Sequence, residues 1–387
     1  MIFSRRVFSR SVAIAAALVS VFFLVSCEGL FPLGQDDPLD GPLYADNVVV
    51  VATYLSGTVS WQDGKVYYID DSTTVEEGAT LSIAPGAIVK FGALGKLYIN
   101  DGATIVANGT ALKPIVFTSI RDTAAGGDSI TNDGSVGPAA GDWYFVWPMN
   151  GSGQNSFSYC EFRYAGKDGN AALYVDGATA VDQCVFRDNA CGRPYIGSEE
   201  ATLHFETYMP GSSVTNTLFY NNLWPLRIPV AMSLDGSNSF EFDHDNDAGT
   251  ASLRNTHQGI MVAGGEINAA VSWAETDVPL CFFDNGWLNV TGTGSLSLAS
   301  GLVMKFNGSY SGLWIEEGAT VTAMGAIFTS FKDDTLLGDT NADLAVSSPA
   351  NGDWQGIWDQ RIDTDGNYWT RDNAGQVRYS FKTAGDD

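Results

Sequence analysis

Basic side chains are scarce in this chain: 20 Lys and Arg stand against 45 Asp and Glu in 387 residues, with only three His. A net charge of −25 repels polyphosphate, so nucleic acid is excluded as a partner. His204, His244 and His257 lie apart and form no recognisable nucleophile–base pattern. Five cysteines are present, and Cys160, Cys184, Cys191 and Cys281 do not follow metal-finger spacing. Long apolar runs are missing too. Only Val12 to Val25 is strongly apolar, and it is too short for a comfortable bilayer span. Helical periodicity is absent beyond that leader, which removes bundle and α/β architectures from consideration.

What the chain does have is a copy of itself. Ile115-Val116-Phe117-Thr118-Ser119-Ile120-Arg121-Asp122 returns as Ala326-Ile327-Phe328-Thr329-Ser330-Phe331-Lys332-Asp333. Gly127-Asp128-Ser129 returns as Gly338-Asp339-Thr340, and Gly141-Asp142-Trp143 as Gly352-Asp353-Trp354. Upstream, Val89-Lys90-Phe91 matches Met304-Lys305-Phe306. A long repeat built of short alternating runs between Gly, Asn, Asp and Pro turns points to a solenoid of strands.

A shorter period runs inside it. Phe162, Phe186 and Phe219 fall at matching places, as do Cys160, Cys184 and Thr217, and Asn189 and Asn222. Units of about 24 to 30 residues with three short strands describe the coils of a right-handed parallel β-helix, roughly a dozen of them. Adjacent coils lie about 4.8 Å apart, so each set is expected to stack: the phenylalanines as core, the cysteines as reduced core residues, the asparagines as a ladder. Phe186 is expected buried and Arg187 exposed.

The N-terminus reads as a targeting segment. Arg5, Arg6 and Arg10 precede the apolar run, which ends in Leu24-Val25-Ser26-Cys27. This resembles the lipobox of bacterial lipoproteins, and the resemblance implies acylation of Cys27 and a membrane attachment through that lipid. Ser4-Arg5-Arg6-Val7-Phe8 also resembles a twin-arginine export signal. Residues 1–26 are therefore expected to be removed and 27–46 to form a tether. The body from 47 to 387 is all-β, in two related halves of about 56–263 and 264–387. Loss of the leader leaves 17 basic against 45 acidic side chains, a net charge of about −28. The second copy stops at a point equivalent to Cys160–Gly166 of the first, short of a full repeat.

Val75-Glu76-Glu77-Gly78-Ala79-Thr80-Leu81-Ser82-Ile83-Ala84-Pro85-Gly86, with the Phe-Thr-Ser, Gly-Asp and Gly-Asp-Trp blocks, resembles bacterial parallel β-helix repeat lipoproteins of the pectin-lyase-like group. The resemblance implies the fold and an outer-membrane or cell-surface address. Its hosts include polysaccharide lyases, hydrolases, adhesins and inert surface proteins, so it leaves activity open.

Three acidic loops are candidates for a hard cation such as calcium, the only cofactor expected. They are Asp128, Asn132 and Asp133; their counterparts Asp339, Asn341 and Asp343; and Asp243, Asp245 and Asp247. Solvated turns are the alternative reading of each. Trp143, Trp147, Trp354 and Trp358 recur as Trp-x-x-x-Trp; residues four apart on a strand share a face, which makes each pair either a sugar-stacking platform or core. No catalytic residue is assigned. Arg187, Arg193 and Arg227 are the only arginines considered as a lyase base, with a surface role as the alternative. The function expected is a non-enzymatic envelope binding or adhesion module, with carbohydrate as the ligand that stacking tryptophans would admit. A calcium-dependent polysaccharide lyase or a glycoside hydrolase is the second reading.

Overall fold

The period-two runs become strands of two to eight residues, and nearly every strand pairs in parallel with the one a coil later. The computed structural model describes residues 47–128, 136–149, 151–191, 200–242, 252–283, 287–362, 368–372 and 375–381. One coil shows the plan. Ile88–Phe91 lies in sheet 1, Lys96–Ile99 in sheet 2 and Thr104–Asn108 in sheet 3, and then Ile115–Ser119 returns to sheet 1. Sheet 1 has seven strands, sheet 2 eleven and sheet 3 six. The fold is an all-β parallel β-helix; the one helical turn among the described residues is the short 3₁₀ segment Lys167–Gly169.

Alternation along each strand sends every second side chain into the core. Phe117, Phe162, Phe186, Phe219 and Phe240 are all buried, and their rings stack in one column with centroids 4.5, 4.8, 5.2 and 5.3 Å apart. Corners between sheets are made by single left-handed residues. Tyr159, Gln183 and Asn216 sit before sheet 1, and Tyr164, Asp188 and Asn221 after it, with φ between 49° and 65°. Each such residue precedes a ladder position. Cys160, Cys184 and Thr217 follow the first set, with all three buried and both cysteines free thiols. Asn189, Asn222 and Asn255 form the second ladder: Asn189 N–H donates to Asn222 Oδ1 and Asn222 N–H to Asn255 Oδ1, both at 3.2 Å. A buried amide side chain thus satisfies the backbone groups that a corner leaves unpaired.

Arg187 differs from expectation. It is half-buried, with Nε donating to Glu161 Oε1 at 2.5 Å and Nη1 paired with Asp188. The neighbouring coil places a carboxylate beside it, which sequence spacing alone did not reveal.

The cross-section changes midway. Sheet 1 ends at Leu218–Tyr220, followed by the antiparallel pair Glu241–Phe242 and Leu253–Arg254. Sheet 2 runs on to Ile327–Ser330, and a new sheet 4 opens beside it with Gly265–Ile267, Trp287–Val290, Gly308–Ile315 and Trp354–Asp359. Sheet 5 (Ala270–Trp273, Ser295–Leu298, Thr320–Thr322) completes these later coils. The repeat is therefore shifted by one face: the strand of Lys90 lies in sheet 1, whereas that of Lys305 lies in sheet 2.

Candidate functional site

Most of the repeated polar residues fasten a long loop over the outside of the coil. Lys90 is fully buried on the outward side of its strand, and its Nζ donates to Gly127 O at 2.7 Å. Lys305 does the same towards Gly338 O at 3.1 Å and Thr340 Oγ1 at 2.8 Å. Burial lowers the pKa of both, against the pull of nearby carboxylates. Thr118 donates to Asp122 as Thr329 does to Asp333, and Ser119 to Asp142 as Ser330 does to Asp353. Trp143 then stacks on Phe91 at 4.0 Å, and Trp354 on Phe306 at 4.5 Å.

Those two tryptophans are fully buried, so they are no part of a stacking surface. The expectation that residues four apart share a face fails because Trp143 and Trp147 are not on one straight strand. The chain turns a corner before Phe145–Pro148, pointing Trp143 inward with its N–H donated to Arg163 O, while Trp147 faces outward. Trp354 and Trp358 also divide, although both lie in Trp354–Asp359: a register irregularity in the pairing with Gly308–Ile315 breaks the alternation between them, so Trp354 donates to Arg378 O and Trp358 sits half-buried on the outer face.

Of the acidic loops, Asp243, Asp245 and Asp247 lie outside the described residues, as do Asn132, Asp133, Arg193 and Cys27. Asp128 is described at the end of the first loop segment. In the second loop Asp339 accepts from the N–H groups of Asp343 and Leu344, and Asp343 from Asn341 Nδ2 and from Ser347. The side chains of alternate residues therefore brace the loop. The carboxylate oxygens that converge are those of Asp334, Asp339 and Asp343, all within 4.8 Å of one another. Asp334 is the carboxylate that spacing did not suggest, and Asn341 Nδ2 donates to Asp343 Oδ2 beside the group. Desolvation and the charge of Asp339 raise the Asp334 pKa, while hydrogen bonds from Ser347 lower that of Asp343. Three hard oxygens suit calcium in kind, but two of the three carboxylates already serve loop N–H groups.

The outward row of sheet 2 is different in character. Register places Tyr98 beside Trp147, and Tyr174 beside His204 and then Arg227, on successive coils. Ring centroids are 5.8 Å apart for Tyr98 and Trp147, 5.3 Å for Trp147 and Tyr174, and 4.5 Å for Tyr174 and His204. Phe145 stands edge-on to Trp147 at 5.7 Å. A cavity of about 210 Å³ opens here, lined by Phe145, Trp147, Asn170, Ala171, Tyr174 and Glu200. Trp147 Nε1 donates to Asp176 Oδ2 at 2.9 Å, which fixes the indole plane.

Beyond the cavity, Glu206 gathers two partners: His204 Nε2 at 2.8 Å and Arg227 Nη1 at 3.0 Å. The hydrogen bond with His204 is the main cause that pulls the Glu206 pKa down to about 2, with Arg227 assisting. Burial depresses His204 to about 4 despite that carboxylate, so its ring is neutral near pH 7. Arg227 is itself buried against Glu206. For Arg187, burial opposes the charge, but Glu161, Tyr220 and Asp188 outweigh it and raise the pKa. Neither guanidinium is available as a base. No motif marks Tyr174, His204, Glu206 and Arg227. The signal that was present is the recurring Leu-x-apolar triplet Leu173–Val175, Leu203–Phe205 and Leu226–Ile228, whose middle residues share the outer row.

Residues 52–130 match the family described as pectate-lyase like beta helix domain. Searches of the curated proteins and of the solved structures return no match to the chain. The stacked parallel sheets make the fold a parallel β-helix, and the likeness to pectate-lyase-like β-helix domains covers residues 52–130.

Proposed function

We propose that this is an exported, lipid-anchored envelope or surface protein that binds a carbohydrate on the outer face of sheet 2 without transforming it. The observation that carries the reading is the outward row Tyr98, Trp147 and Tyr174, one ring per coil, beside a cavity of about 210 Å³. Aromatic faces pack against the C–H faces of sugar rings, and Asn170, Asp176 and Glu200 offer hydroxyl partners around them. The family described as pectate-lyase like supports a carbohydrate as ligand class. The acidity of the chain favours neutral sugars over polyuronates. The ion-paired arginines and the neutral, buried His204 support a reading of binding without catalysis.

The anchor is Cys27, and Cys27→Ala should release the protein from membranes; unchanged membrane retention would refute it. Calcium at Asp334, Asp339 and Asp343 is the accessory part of the reading. Millimolar Ca²⁺ should raise the melting temperature, and Asp334→Asn with Asp343→Asn should abolish the rise. A melting curve indifferent to Ca²⁺ and to chelator rules that site out. For the sugar, a glycan array with the full-length protein should return neutral glycans, and Trp147→Ala should weaken them about tenfold. An array without any binder would end the carbohydrate reading.

A further inference from the structure

The second copy carries its own outward aromatic row on a different sheet. Register aligns Asn289 with Trp314 and Trp314 with Trp358, all facing away from the core residues Leu288, Leu313 and Ile357. Trp287 joins them with its ring centroid 6.1 Å from that of Trp314, which in turn lies 5.5 Å from Trp358. Tyr368 closes the row edge-on at 4.7 Å.

By the offset of the repeat, Trp314 occupies the place of Tyr98, and Trp358 that of Trp147. The flanking positions have changed. Where the first copy has Lys96 and Phe145 paired side by side, the second has Gly312 and Gly356. Those glycines remove the wall. A Cβ at Gly312 would come within 2.9 Å of the Trp287 ring, so the indole lies over bare backbone. The first face is a cavity, and on the second Trp314 and Trp358 lie tilted by 32° to each other with Trp287 and Tyr368 edge-on at either side.

A second, independent observation points to a ligand. Trp358 Nε1 and Asn289 Oδ1 are both buried with no hydrogen-bond partner among the described residues. In the first copy the equivalent indole N–H is donated to Asp176. A buried donor and a buried acceptor on one aromatic row call for oxygen atoms that can both accept and donate, which is what hydroxyl groups or the waters they carry provide. The remaining partner of Asn289 is Glu316, with Nδ2 donating to Oε1 at 3.2 Å. The surroundings are thus acidic, and a polyanion is disfavoured.

We propose that sheet 4 is a second, separate glycan-binding platform, in which Trp314 and Trp358 stack on an extended neutral polysaccharide and Trp287 borders them edge-on. The proposal rests on the carbohydrate reading of sheet 2, because both use the same stacking chemistry. Two indoles on neighbouring coils, 5.5 Å apart and tilted by 32°, accept successive units of a chain, whereas the cavity of sheet 2 accepts a short stretch or an end. Together they make one chain bivalent towards a polymer.

The test is calorimetric titration and tryptophan fluorescence of the full-length protein with cellohexaose, xylohexaose and mannohexaose, and oligogalacturonate as charged control. Two sites per chain are expected for a neutral hexaose. Trp314→Ala should weaken one about tenfold and leave the other, Trp147→Ala should weaken the converse one about tenfold, and Trp314→Phe should keep both. Melting temperatures of the three variants exclude misfolding as the cause. A single site that survives Trp314→Ala unchanged, or binding abolished altogether by Trp147→Ala, overturns the second platform alone. Absence of binding by the wild-type protein to every neutral hexaose defeats the underlying reading and this proposal with it.

Discussion

The two copies keep the same inside and present different outsides. In both, a buried lysine holds the long loop through its carbonyls, a Thr–Asp and a Ser–Asp hydrogen bond brace it, and a tryptophan caps a phenylalanine. Yet the paired strands that follow set Lys96 beside Phe145 in one copy, and Gly312 beside Gly356 in the other. Core and loop attachment are what this repeat preserves, since a mismatch there leaves a cavity or an unsatisfied polar group in every coil it touches. The solvent side is free to diverge. The lesson is that identity between the copies marks structure here, and the differences point to function.

That comparison is sharpened first by the core. Phe186, central in its column of five rings, and Phe306, between Phe282 and Trp354, should each cost about 3–5 kcal/mol when replaced by alanine. Denaturant unfolding measures both. A loss at Phe306 several kcal/mol smaller than at Phe186 would mean that the second region is loosely packed and that the copies differ inside as well.

The junction between the regions offers a pH test. Glu275 follows the first strand of sheet 5 and is 1% exposed; its Oε1 accepts the N–H groups of Thr276 and Asp277, while Oε2 has no partner. Burial, with Asp277 and Asp235 nearby, raises its pKa to about 7 from an ordinary 4.5. The fold therefore favours the protonated acid. Its contribution to stability is intact below pH 4.5 and is lost as the pH rises to about 7, on the order of 3 kcal/mol in all. Glu275→Gln should be more stable than the parent at pH 8 and equal to it near pH 4. A variant that gains nothing at pH 8 would show that the carboxyl is solvated.

Smaller effects come from the loop clamps. Lys305→Met removes the ammonium donor from Gly338 O and Thr340 Oγ1, and Lys90→Met removes it from Gly127 O. Losses of about 1–3 kcal/mol are expected, the larger at Lys305, with faster proteolysis inside the released loop. Equal protease resistance in wild type and both variants would show that the lysines do not hold the loops.

Much of the architecture was legible before any coordinates. The spacing of Phe162, Phe186 and Phe219 and of Asn189 and Asn222 predicts both stacks, because a solenoid turns a sequence period into a column. Asn255 continues the same 33-residue step from Asn222, interrupted to the eye by the hairpin between them. What spacing could not show is where the chain bends. The corner that separates Trp143 from Trp147 inverts one of them, and the start of sheet 4 moves the second copy by one face. Contacts across coils were also hidden: Arg187 meets Glu161 from the previous turn, and Asp334 reaches Asp339 and Asp343 by the fold of the loop. The Tyr174, His204 and Arg227 row carried only the weak signal of its Leu-x-apolar triplets, since its members are 30 and 23 residues apart and come together through register.

The most direct test of the account is the affinity of the full-length protein for a neutral hexaose, measured by titration calorimetry before and after Trp147→Ala. Stacking on the outer row of sheet 2 predicts about a tenfold weaker site in the variant, with the melting temperature preserved. An affinity that Trp147→Ala leaves unchanged, or a protein that binds only the charged oligogalacturonate, would contradict it.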